Sequence, residues 1–151
     1  MPRFARRTAA LALFATVAAT VAATMSLPAL AQAFDASRPN KVVFQVSEND
    51  PKTWNLALNN AKNVQQAMGA DQSAIEIVVY GPGIGMLKMD SPVAERIAEA
   101  VGKGVSVVAC ENTMKGQKLT KADMLQTIGY VPAGVVEIMT RQKEGFAYVR
   151  P

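Results

Sequence analysis

The sequence predicts an α/β protein, a three-layer α/β/α sandwich around a mostly parallel sheet of about five strands. Two observations carry this expectation. Strand-like and helix-like segments alternate from Lys41 to Val149. The first strand segments are also apolar on both faces, as strands are when helices cover both sides of a parallel sheet.

Each element has a local reason. Lys41-Val42-Val43-Phe44-Gln45-Val46 is β-branched and aromatic, and reads as the first strand. Ser47-Glu48-Asn49-Asp50 is a polar turn, in which Asp50 can cap the next helix and Pro51 suits its first turn. Trp54, Leu58, Ala61, Val64 and Met68 recur at helical spacing and give that helix one apolar face, ended by Gly69. Ile75 to Tyr80 is the second strand. It runs into Gly81-Pro82-Gly83-Ile84-Gly85, which reads as a flexible loop. Ser91-Pro92 opens a second helix with Val93, Ile97, Ala98 and Val101 inward, closed by Gly102 and Gly104.

Val105 to Cys110 is the third strand, and the polar Glu111-Asn112-Thr113 after it reads as a loop. Thr120 and Asp123 have capping-box spacing for a short helix through Leu125 to Ile128. Gly129 to Pro132 is a brief extended link. Ala133 to Lys143 reads as a helix with Val135, Val136 and Met139 inward. Gly145 stops it, and Phe146 to Val149 is the final strand.

The first 33 residues stand apart. Arg3, Arg6 and Arg7 form a positive start, Ala9 to Ala23 an apolar stretch, and Ala31-Gln32-Ala33 a small-x-small cleavage site. This is the pattern of a secretory signal peptide over residues 1–33, cleaved after Ala33 or, alternatively, Ala31. The apolar stretch is short, Ala-rich and runs into Pro28, which favours a cleaved signal over a membrane anchor. Thr-Ala-Ala follows the Arg6-Arg7 pair where a twin-arginine signal prefers x-Phe-Leu, so the ordinary unfolded-export route is favoured. The expected location is periplasmic or secreted. Residues 34–40 read as a flexible leader, and 41–151 as one compact domain without a repeat.

Removing the signal changes the charge argument. The whole chain carries 16 Lys plus Arg against 12 Asp plus Glu, net +4. Without the three signal arginines, thirteen cations face twelve anions. Nothing in that balance points to nucleic acid, or to a membrane surface after signal cleavage. Histidine is absent, which removes Ser-His-Asp and Cys-His catalysis and imidazole metal sites.

Cys110 is the only cysteine, so it forms no internal disulfide. It stands at the end of a strand, where α/β sheets keep their binding sites. Right-handed crossovers align the loops after the first three strands along one sheet edge. Those loops bring Asn49, Gly81, Gly83, Asn112 and Thr113 toward Cys110. Backbone amides near a helix start would stabilise a thiolate there, fit to attack or to carry sulfur as a persulfide. The bland alternatives are a buried, inert thiol, turn glycines without the lysine and serine of a P-loop, and asparagines that only serve their turns. Met68, Met86, Met89, Met114, Met124 and Met139 could hold Cu(I) with the thiol, but methionine more commonly fills cores.

Four segments together suggest a family. They are Gly104 to Met114 with Cys110-Glu111-Asn112-Thr113, Leu119 with Asp123-Met124-Leu125, Val131-Pro132-Ala133-Gly134-Val135, and Gln142 to Pro151 with Gly145-Phe146-Ala147-Tyr148-Val149-Arg150-Pro151. Over Lys41 to Pro151 the chain resembles the DsrE/DsrF-like family. The resemblance implies an α/β/α fold with a five-stranded parallel sheet and homo-oligomers such as trimers or hexamers; no cofactor is expected. It implies persulfide relay through a cysteine at the position of Cys110, with a sulfur donor and acceptor protein. The chain departs from the relay proteins in its export signal and in the Glu-Asn-Thr-Met that follows Cys110. The expectation is an exported protein that binds or relays sulfane sulfur through Cys110. The alternatives are a non-catalytic oligomeric binding module of the envelope with a structural cysteine, and a copper binder.

Overall fold

A computed structural model describes residues 34–151. The expected signal peptide, 1–33, lies outside the described residues. Strands β1 (Asn40–Val46), β2 (Ser73–Val79), β3 (Ser106–Cys110), β4 (Gly129–Val131) and β5 (Ala147–Val149) form one sheet in the order β4-β3-β2-β1-β5. All four strand pairings are parallel. Every residue of the central strand β2 is buried, as the doubly covered pattern requires.

Helix α1 (Pro51–Met68) starts where the sequence places it. The Asp50 carboxylate accepts the amides of Lys52 at 3.1 Å and Thr53 at 3.2 Å, and Pro51 occupies the first turn. Trp54, Ala57, Leu58 and Ala61 face the sheet; Met68, expected on the same face, is exposed at the last position of the helix. Helix α2 (Ala94–Gly102) buries Ile97, whereas Ala98, expected inward, points outward. These two helices share the larger core with Phe44, Ile75, Ile77 and Val107. The opposite face is covered by α4 (Gly134–Lys143), with Val43, Val78, Val108, Ile138 and Phe146 between helix and sheet.

Five local expectations change. Gly81 to Gly85 is not a flexible loop but part of a tight 3-10 segment, Gly81–Leu87, that buries Ile84, Met86 and Leu87. The residues after Cys110 form a short helix, α3 (Glu111–Gly116), rather than a loop. The Thr120–Asp123 capping box is made, but it caps only a 3-10 turn, Lys121–Asp123. The link at Gly129 is the edge strand β4. Of residues 34–40, expected to be a flexible leader, Asn40 opens β1 and the stretch before it docks. Phe34 packs on Phe146 with ring centroids 6.5 Å apart, and the Arg38 guanidinium donates to the Ala70 carbonyl at 2.9 Å.

The largest correction concerns α4. Val135, Val136 and Met139, expected inward, are 54%, 59% and 52% exposed. The inward stripe is Gly134, Ile138 and Arg141, at helical spacing of four and three. An arginine belongs there because β2 carries Glu76, only 1% exposed, on the same face. Arg141 Nε sits 2.5 Å from the Glu76 carboxylate, and Ser106 Oγ donates to it at 3.1 Å. A buried carboxylate needs such partners.

Candidate functional site

Cys110 is both the last residue of β3 and the N-cap of α3. Its side chain follows the alternation of Val108 and faces the α4 side of the sheet. The thiol is 5% exposed. Thr113 donates its amide to the sulfur at 3.4 Å, and its hydroxyl favours the charged form of the thiol. The amides of Gly134 and Asn112 act in the same direction. The sulfur is thus held between the start of α3 and the start of α4. Burial pushes the thiol up, but the Thr113 hydroxyl and the three amides outweigh it and hold Cys110 below its ordinary value of 9.0. The dipole of α4 favours a negative sulfur in the same sense.

The structure brings four of the six expected site residues together. Thr113 bridges two of them, since its Oγ1 accepts the Gly81 amide at 2.9 Å while the residue also donates to Cys110. Gly81 has φ +55°, a left-handed conformation that glycine adopts without strain. Asn112 is exposed; its amide, besides serving the sulfur, donates to the Pro132 carbonyl at 3.2 Å and ties α3 to the approach of α4.

Gly83 serves packing. Its amide donates to the Ser47 carbonyl at 2.9 Å, and a Cβ there would meet the Val46 carbonyl oxygen at 2.7 Å. With both glycine amides committed, this segment offers no free anion cradle. Asn49 lies elsewhere. It lines a cavity of about 320 Å³ with Trp54, Lys88, Asp90 and Gln117, and Cys110 is not among its walls. Met114 packs in the core on the opposite side of the sheet from the sulfur, which separates it from Cys110 as a ligand pair.

Two site residues escape a reading of the sequence. Gly134 supplies an amide to the thiol from 24 positions away. Tyr80, following β2, lies against Gly134. Burial raises the Tyr80 phenol above its ordinary value, and the charges of Tyr148, Glu48 and Cys110 add to this against Arg150, so the phenol stays protonated. Beyond it, Arg150 pairs with Glu48, and the Tyr148 hydroxyl donates to Gln45 Oε1 at 2.6 Å. The signal for Gly134 was present in Pro132-Ala133-Gly134: a proline cannot donate, so the free amides begin just after it.

The arrangement defines a class: a parallel α/β/α domain that presents one cysteine at the carboxyl edge of its sheet, under amide donors. The model of the DsrE/DsrF-like family matches residues 40–151, and the chain belongs to that family, which is linked in general to sulfur relay. Among solved structures, the chain is similar to MTH1491 from Methanobacterium thermoautotrophicum, described as a protein of unknown function. That similarity has 34% identity and a TM-score of 0.71, over 74% of this chain and 99% of that one. BT1422 from Bacteroides thetaiotaomicron, described as a conserved protein of unknown function, shares the fold at 15% identity and a TM-score of 0.61, over 74% and 95% of the two chains. No curated protein matches.

Proposed function

We propose that the protein carries sulfane sulfur on Cys110. The observation behind this reading is the Thr113 amide donating to the sulfur at 3.4 Å, in surroundings where the Thr113 hydroxyl and the amides of Gly134 and Asn112 also favour the charged form. A set that favours the thiolate also favours a negatively charged persulfide. In the step, the Cys110 thiolate attacks the outer sulfur of a donor persulfide R–S–SH. A Cys110–sulfur bond forms, the donor's S–S bond breaks and R–S⁻ leaves; the proton stays on the transferred sulfur or passes to water. No net oxidation occurs. A thiol acceptor reverses the sequence. The absence of histidine is no obstacle, because a thiolate needs no separate base.

The protein works, in this reading, after export to the periplasm or outside the cell, as a homo-oligomer that meets donor and acceptor proteins. The apolar Val135, Val136 and Met139 on the outside of α4 support the oligomer. Light scattering on the mature protein checks it, and a monomer mass at micromolar concentration counts against it.

The second reading is a binding module with a structural cysteine, and the 5% exposure of the thiol favours it. One experiment separates the two. Reduced mature protein is incubated with polysulfide and weighed intact. The sulfur-carrier reading expects a gain of about 32 Da on the wild type and none on Cys110→Ser. No gain on the wild type, with a thiol that reacts only after denaturation, leaves the structural reading in place.

A further inference from the structure

We propose that the buried Glu76–Arg141 pair is a positioning device for the Cys110 sulfur, fixing α4 against β2 so that the first amide of the helix stays aimed at the thiol. The inference deepens the sulfur-carrier reading and rests on Cys110 being the working group.

The geometry runs from one end of α4 to the other. At its start, Gly134 is buried three residues after Val131, which pairs with Cys110 across the sheet edge, and its amide favours the charged sulfur. Seven residues later, roughly 10 Å down the axis, Arg141 reaches the sheet. Its Nε lies 2.5 Å and its Nη2 3.4 Å from the two oxygens of Glu76. A two-pronged contact of this kind fixes both the rotation and the translation of a helix, which apolar packing alone leaves softer. Between these two ends only Ile138 supplies a buried apolar side chain.

The pair is also costlier than packing requires. A well-packed apolar pair in its place would hold the helix at least as strongly, and the best-attested role of a buried ion pair is to set register. The remaining charges around it reinforce the hold. Arg141 pairs with Glu137 at 3.0 Å and Glu144 at 2.9 Å, and its guanidinium lies 5.2 Å from the centre of the Phe34 ring. Lys41, from β1, donates to the Glu144 carbonyl at 3.1 Å. Burial and the neighbouring Glu76 hold the Glu137 carboxyl above its usual range against Arg141. None of these groups touches the sulfur, so the pair acts through the helix.

The sign of the effect tests this. Cys110 is the only thiol, so the ultraviolet absorbance of its thiolate gives the titration midpoint once the same protein carrying Cys110→Ser is subtracted. A through-space effect would be opposite in the two variants. Losing the anion in Glu76→Gln would lower the midpoint, and losing the cation in Arg141→Met would raise it. Loss of positioning raises it in both, by about half a unit, or a roughly threefold smaller thiolate fraction below the midpoint.

Arg141→Lys keeps the charge without the fork. It is expected to move the midpoint up part of the way, and it carries the same reading where Arg141→Met does not fold. Ile138→Ala loosens the same helix without touching the pair, and its shift should be the smaller. A midpoint that falls in Glu76→Gln, stays put in both arginine variants, or rises as far in Ile138→Ala overturns the inference. The readout is acid–base only. A protein that takes up no sulfur but shows these shifts fails the carrier reading and keeps this one.

Discussion

The Gly134 backbone lies against the Tyr80 side chain, with no room for a methyl between them. A Cβ at Gly134 would stand 3.0 Å from both Cβ and Cδ1 of the tyrosine. Tyr80 Cβ is fixed to the chain directly after β2, so it has little freedom to yield. The absent side chain lets the start of α4 come close enough to offer its amide to the Cys110 sulfur.

Gly134→Ala should therefore affect both stability and the thiol. We expect a loss of about 1–3 kcal/mol from the overpacked contact. The first turn of α4 should also retreat, with a higher thiol midpoint. Tyr80→Gly in the same background removes both clashing atoms, Cβ and Cδ1, and should restore the midpoint by giving the methyl room. Urea unfolding and thiolate absorbance measure the two effects. A Gly134→Ala protein with wild-type stability and titration would show that the contact has no consequence.

Linkage makes the lowered Cys110 thiol visible in stability. In the unfolded chain the thiol titrates near 9.0, and in the fold below it. A group depressed by folding adds stability that is complete above the unfolded value and is lost as pH falls through the folded one. The difference in unfolding free energy between wild type and Cys110→Ser should therefore grow as pH rises toward 9.0, then level off. Denaturant titrations from neutral to alkaline pH test this. A difference independent of pH, or one that shrinks as pH rises, would mean that the fold does not favour the thiolate.

Removing either partner of the buried ion pair should not be equivalent. Glu76 is 1% exposed, and without Arg141 it keeps the Ser106 hydroxyl and the Glu137 carboxyl as neighbours but no cation among the described residues. Arg141 is 18% exposed, and without Glu76 it keeps Glu137 and Glu144. Arg141→Met should cost about 3–5 kcal/mol, the usual range for stranding a buried charge. Glu76→Leu should cost clearly less, and the double variant should recover most of the loss. Equal losses in the two single variants would contradict the asymmetry of partners.

Local periodicity and capping made much of this architecture readable along the chain. Four of the five strands, the Asp50 cap with Pro51, the glycine after α1 and the place of Cys110 at a strand terminus each depend on residues within a few positions of one another. The same local reading went wrong for α4, where Val135, Val136 and Met139 looked like the inward stripe. Hydrophobicity cannot reveal that a carboxylate in the centre of β2, 65 positions earlier, needs the arginine on the other face. One clue was available, the single charge in Ile75-Glu76-Ile77.

The environment of the sulfur was decided at longer range. Asn112 and Thr113 are neighbours of Cys110 in the chain, so they were legible. Gly134 and Tyr80 reach it only because parallel strands bring their carboxyl ends to one edge and α4 crosses back over them. The chemistry of the thiol follows from amide directions, and those exist only once the helix starts have been packed against the sheet.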